Sequence, residues 1–131
     1  SSSRAAADIA AKYGQEYYAS AVGEVNVVAK MKEVGAAIGG EGNGGIIDPR
    51  LHYGRESLIG LALVLSHLAI SGKTINELRD GYVHYEMIKD KKEVDKTYDL
   101  NGAFTRVRAK FPDVRTSDID DLKLDFPDGW V

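Results

Sequence analysis

The sequence predicts an α/β fold, and three observations carry that prediction. Between residues 4 and 47, short helical patterns alternate with short extended ones, the rhythm of an α/β layer. Gly14, Gly35 and Gly72 stand just past the helical patterns, where a positive φ closes a helix. The stretch 55–71 is apolar on nearly all sides, as expected of a helix buried within a larger body.

The elements follow in order. Residues 4–13 read as a helix with Ala5, Ile9 and Ala10 on one side and Ser2 or Ser3 as N-cap. Residues 16–20, with Tyr17 and Tyr18, read as a short strand. A second helix over 25–34 spaces Val27 or Val28, Met31 and Val34 helically, a very short strand over 36–38 follows, and Ile46-Ile47 offers another. A loop with Pro49, His52 and Tyr53 leads to the apolar helix, after which Thr74 and Glu77 have the spacing of a capping box. From about Tyr82 the character changes. Residues 82–87 read as a strand, 89–96 as a solvated loop, 101–111 as a helix and 118–126 as a half-buried strand. Pro127-Asp128-Gly129 is a turn signal, and Trp130-Val131 begins a partner strand that stops short, so the preceding strand is expected to lack a partner.

Composition narrows the function classes. The apolar fraction of 44% and charged fraction of 28% are those of a soluble globular protein. A formal charge of −3 gives no electrostatic footprint for nucleic acid or an anionic membrane. With no cysteine there is neither a disulfide framework nor a thiolate metal site, which fits a reducing compartment. Residues 58–65, the longest apolar run, are too few to span a membrane, and the first residues lack the pattern of a signal peptide. The first residue is Ser1 rather than methionine, so a processed or excised piece of a larger chain is expected.

The chemistry concentrates in IGGEGNGGIID, residues 38–48. Six of the fourteen glycines fall between Gly35 and Gly45, and they surround Glu41 and Asn43. Three readings are open. Turned backbone amides could cradle phosphate, although neither GxxxxGK[ST] nor GxGxxG is matched. The stretch could instead be a glycine-rich hairpin with an exposed acid. In the third reading, Glu41 and Asn43, two apart, face the same way, and small neighbours admit a polar ligand to the backbone. A carboxylate that accepts and an amide that both donates and accepts suit adjacent sugar hydroxyls.

The other polar residues have simpler readings. His52 lacks the further histidines of a zinc site, His67 reads as a packed or edge residue of the apolar helix, and His84 as a strand-surface residue. The serines at 1–3 have no nearby histidine base, and capping explains them. Asp118, Asp120 and Asp121 could suggest a metal site, but alternation puts Asp118 and Asp120 on the outer face of a strand, and that simpler reading is preferred. Nothing in the chain completes a catalytic constellation.

Taken together, Ser2-Ser3-Arg4, Val22-Gly23-Glu24 opening a helix that ends in Lys30-Met31, and Gly39-Gly40-Glu41-Gly42-Asn43-Gly44 resemble the third domain of the α-D-phosphohexomutases. The long apolar helix, then Leu122-Lys123-Leu124-Asp125-Phe126 and Gly129-Trp130-Val131, continue the resemblance into the start of the fourth domain. It implies a partial three-layer α/β domain over 1–81, lacking its first strand and helix, and a partial α+β domain over 82–131, cut before its phosphate-binding loop.

The resemblance implies a parent enzyme that moves phosphate between the 1- and 6-positions of a hexose through a sugar bisphosphate. A phosphoserine in the first domain and a magnesium ion on an aspartate-rich loop in the second would do the chemistry, so the catalytic groups and metal ligands lie outside this chain. The third-domain loop, of the type GGExSG, binds sugar hydroxyls. Glu41 matches its glutamate, and Asn43 stands where serine is usual, able to make an equivalent bond with longer reach, with Gly40 and Gly42 beside them. Glu24 falls where some relatives place a substrate-contacting histidine, and Ser1 near a phosphate-contacting lysine that this chain would lack. The implied partners are a hexose phosphate or bisphosphate and the remaining domains, with self-association through cut sheet edges as a further expectation. The implied compartment is the cytoplasm, and this piece alone is expected to be inactive. A non-catalytic phosphosugar-binding module and a structural interaction fragment are the competing readings.

Overall fold

The computed structural model describes residues 2–131, which divide into two compact units, Ser1–Met87 and Ile88–Val131. In the first unit the order is α1 (Ala5–Lys12), α2 (Glu24–Val34), β1 (Gly39–Gly40), β2 (Ile46–Ile47), α3 (Ser57–Ser71) and α4 (Ile75–Asp80). In the second it is α5 (Leu100–Lys110), β3 (Arg115–Ser117) and β4 (Lys123–Asp125). The mixed α/β class expected from the sequence is what forms.

Helix ends follow local chemistry. Ser3 Oγ accepts the Ala5 N–H at 3.4 Å at the start of α1. Gly35 takes φ +64° past α2, and the Ala36 N–H returns to the Met31 carbonyl at 2.9 Å. That bond ties Ala36 into the helix cap, so the strand expected over 36–38 begins only at Gly39. Helix α3 starts at Ser57, with the Glu56 carboxylate accepting the Leu58 N–H, and ends at Gly72 with φ +65°. The capping box forms as expected, Thr74 Oγ1 accepting from the Glu77 N–H while Glu77 Oε2 accepts from the Thr74 N–H.

Strands depart further from expectation, because a strand needs a neighbour to complete its hydrogen bonds. Residues 16–20 have no regular structure. Tyr17 and Tyr18 are exposed, and the Tyr18 hydroxyl donates to Glu16 instead. Residues 82–87 are likewise irregular, and Tyr85 anchors them by donating to Asp8 of α1 at 2.6 Å. The strand expected over 118–126 shrinks to β4, because Asp121 adopts φ 60° and breaks the extended run. Nor is β4 left without a partner. It pairs antiparallel with β3, Thr116 opposite Leu124, and on its other side Leu124 and Val131 exchange backbone bonds at 2.7 and 3.0 Å. Phe111 and Phe126 meet edge to face at 5.6 Å in this unit, and Leu124 is buried.

In the first unit the core lies where α2 and α3 flank the β1–β2 hairpin. Met31 of α2 and Ile47 of β2 are its buried apolar residues, with Asp48 buried beside them. Gly39 allows Met31 to lie against the hairpin, and Gly60 lets α3 approach Ile46, since an added Cβ would meet those side chains at 2.2 and 3.2 Å. The burial expected for α3 is not found among the described residues: Leu58, Leu61, Leu65 and Ile70 are all exposed, Ile70 at 86%.

Candidate functional site

The glycine cluster folds as a tight hairpin, with Gly39 opposite Ile47 and Gly40 opposite Ile46. The Gly44 N–H donates to the Glu41 carbonyl at 3.1 Å, and the Glu41 N–H to the Gly45 carbonyl at 2.9 Å. Gly44 takes φ +95°, the conformation of a glycine bulge closing a short hairpin loop. Gly40 admits no side chain, because a Cβ there would lie 2.6 Å from the Gly45 carbonyl oxygen. Gly42 sits in the turn between the two acidic and amide positions.

Glu41 and Asn43 are brought to the same loop, where each side chain has a different partner. Asn43 Oδ1 turns back to accept the Gly45 N–H at 3.0 Å, and the side chain makes no further hydrogen bond among the described residues. Glu41 turns inward. Its side chain is only 16% exposed, and Oε2 is shielded from solvent without a hydrogen-bond partner. The Arg55 Nη1 lies 3.3 Å from that oxygen, close enough for an ion pair but not aligned as a hydrogen bond.

Arg55 is the residue that sequence reasoning missed. Its backbone N–H donates to Glu24 Oε1 at 3.0 Å and its Nε to Glu24 Oε2 at 2.9 Å, so one guanidinium stands between the two acids. The Arg55 backbone N–H, and then its guanidinium, hold the Glu24 carboxyl below the usual carboxylate range. Glu24 therefore sits at the first residue of α2 as Arg55's partner, with its carboxylate near the positive end of that helix. Gly45 makes the approach possible, since a Cβ there would lie 2.4 Å from Arg55 Cδ. The only sequence signal was a cationic residue opening the apolar helix. Pairing across thirty-one residues, from 24 to 55, is not a spacing that local patterns encode.

The connection to Arg55 is shaped by Asp48, which is buried beside the exposed Arg50. Asp48 Oδ1 accepts the Arg50 N–H, and its carbonyl accepts from Leu51 and His52, turning the chain after β2. Arg50's side chain, opposed by desolvation and helped by its N–H, keeps the Asp48 carboxyl below the ordinary range. A shallow depression of about 470 Å³ lies beside the hairpin, lined by Asn43, Gly44, Gly45, Arg55 and Ser57 among others.

The remaining candidates gather no site. His52 faces Glu56 at 3.8 Å, His67 is exposed, and Asp118 pairs with Arg108. Ser1 lies outside the described residues. Among the described residues no three histidine or acidic groups converge on a point that could hold a metal ion. No helix among them is long and apolar enough to cross a membrane.

Comparison with known proteins bears on the same hairpin. Residues 1–85 match the family model for phosphoglucomutase/phosphomannomutase, alpha/beta/alpha domain III. A phosphoglucomutase/phosphomannomutase of Thermococcus kodakarensis is 32% identical over 124 residues, covering 95% of this chain and 27% of that protein. A probable phosphoglucosamine mutase of Methanopyrus kandleri is 28% identical over 127 residues, covering 95% of this chain and 28% of its own length. The phosphoglucosamine mutase of Burkholderia multivorans is 35% identical over 68 residues, 52% of this chain and 15% of that one. The chain thus spans about a quarter of the length of the first two of these relatives. With a match to the family's domain III model running over residues 1–85, through the glycine hairpin and α3, this chain belongs to the phosphoglucomutase/phosphomannomutase family.

Proposed function

We propose that the segment works within a longer hexose-phosphate mutase and supplies the loop that holds the sugar by its hydroxyls. Glu41 accepts a hydrogen bond from a sugar hydroxyl, Asn43 donates through its amide, and Gly40 and Gly42 leave the backbone open to the ring. One observation carries this reading: among the described residues the largely buried Glu41 carboxylate at the hairpin loop accepts no hydrogen bond, and its Oε2 meets only the Arg55 cation. Buried polar groups are nearly always satisfied, so a carboxylate left without a hydrogen bond at a loop of this shape points to a ligand-side role. Little covalent work falls to a protein in phosphoryl transfer, and most of the rate comes from positioning, which is what such a loop provides.

In this proposal residues 82–131 begin the fourth domain, and the reacting phosphate and a magnesium ion are held by parts of the parent outside this chain. Those parts also cover the exposed apolar face of α3, and the protein is cytoplasmic. The 131 residues alone turn over no hexose phosphate. Steady-state kinetics of the full chain with glucose 1-phosphate and glucosamine 6-phosphate test the site. Glu41→Ala is expected to raise KM on the order of tenfold or more, as for a lost hydrogen bond to a charged group. A Glu41→Ala enzyme with wild-type KM and kcat would contradict the proposal.

A further inference from the structure

We propose that Arg55 is the positioning residue of this site: it anchors one oxygen of Glu41, is itself fixed by Glu24, and so presents the other oxygen of Glu41 to the ligand in one orientation. The inference rests on the reading of Glu41 as the hydroxyl acceptor. It assigns Glu24 a part that needs no contact with the sugar.

The geometry is specific. Arg55 is held at two points by Glu24, through its backbone N–H and its Nε. A guanidinium is planar with its donors in a fixed fork, so holding Nε and the backbone together fixes where the terminal nitrogens point. One of them, Nη1, ends 3.3 Å from the shielded oxygen of Glu41. Gly45 leaves room for the stem of Arg55 across the hairpin, since a Cβ there would lie 2.4 Å from its Cδ. Asp48 turns the chain that delivers Arg55 to this place. The chain Glu24, Arg55, Glu41 thus joins the start of α2 to the hairpin loop through a single cation.

The consequence is an orientation effect. A carboxylate on a loop turns about its own bonds, and only one of its faces suits a given hydroxyl. With Oε2 held beside the cation, the side chain is preorganised, and the ligand does not have to order it on binding. Without Arg55, the shielded oxygen would be a charge lacking any compensating partner among the described residues, and Glu41 would turn away from the loop toward water.

The test is a kinetic double-mutant cycle in the full chain, with folding checked by circular dichroism. Arg55→Ala is expected to raise KM for the hexose phosphate on the order of tenfold, and Arg55→Lys, which keeps charge but loses the fork, less than that. In a Glu41→Ala background, adding Arg55→Ala is expected to change KM by no more than about twofold, because Arg55 acts through Glu41. Glu24→Gln keeps the shape of the pair and is expected to give a smaller KM rise that disappears in the Arg55→Ala background. Losses that multiply in the double variant would show that Arg55 touches the substrate itself and overturn the positioning role. Wild-type KM in Arg55→Ala beside a raised KM in Glu41→Ala would overturn it while leaving the hydroxyl reading intact. Wild-type KM in Glu41→Ala would remove both.

Discussion

At the scale of single residues, the hairpin that carries Glu41 depends on glycines for two different reasons. Gly44 is needed for its φ of +95°, and Gly40 for the space a Cβ would take from the Gly45 carbonyl oxygen. Gly44→Ala is expected to cost about 1–2 kcal/mol through the left-handed conformation alone. Gly40→Ala should cost more, because the clash is with the backbone of its own hairpin partner and must open the pairing of β1 with β2. Urea denaturation midpoints of the two variants would show this order, and a Gly40→Ala protein as stable as wild type would contradict it. The glycine cluster was legible in the sequence as a loop around an acid. A hairpin forms, as one of the open readings expects, but its acid is largely buried rather than exposed. The different partners of the two side chains, the Gly45 N–H for Asn43 and Arg55 for Glu41, were not legible, because alternation along a strand does not survive into a bulged turn.

At the scale of elements, local signals survived and pairings did not. The capping box at Thr74 and the glycine stops after α2 and α3 depend on residues within a turn of one another, and all are present. Thr74→Ala is expected to destabilise by about 1 kcal/mol, read from thermal melting, and no change would mean the box contributes nothing. The strands expected over 16–20 and 82–87 failed because a ladder partner is a long-range fact, and β3 was missed for the same reason. The link between α2 and the loop before α3 gives a pH prediction. Glu24 is held below the ordinary carboxylate range, first by the Arg55 N–H and then by its guanidinium. The folded chain therefore binds fewer protons than the unfolded one in that range, and the link stabilises fully above the ordinary glutamate pKa. Its contribution is lost as the pH falls through the lowered folded value. The melting-temperature gap between wild type and Glu24→Gln should be full at neutral pH and close on acidification; a gap independent of pH would refute the link.

At the scale of the whole molecule, the family was legible from the order of a few landmarks, and the match over residues 1–85 bears it out. Less legible was the surface of α3, whose apolar residues stand exposed among the described residues although its composition suits an interior helix. The stretch that opens the second unit, 88–97, is irregular and exposed, with lysines at 89, 91, 92 and 96. Limited trypsin digestion should cut there first, and initial cleavage within α2 or α5 would count against the division into units. Above both units stands the claim that the glycine hairpin holds a sugar by its hydroxyls through Glu41. Binding of a hexose phosphate and its singly deoxygenated analogues to the full chain, by calorimetry on wild type and Glu41→Ala, tests it most directly. The account predicts that one analogue binds weakly to wild type and loses nothing further on Glu41→Ala, because the partner of that carboxylate is already gone. Equal losses on Glu41→Ala for the parent sugar and every analogue would contradict it.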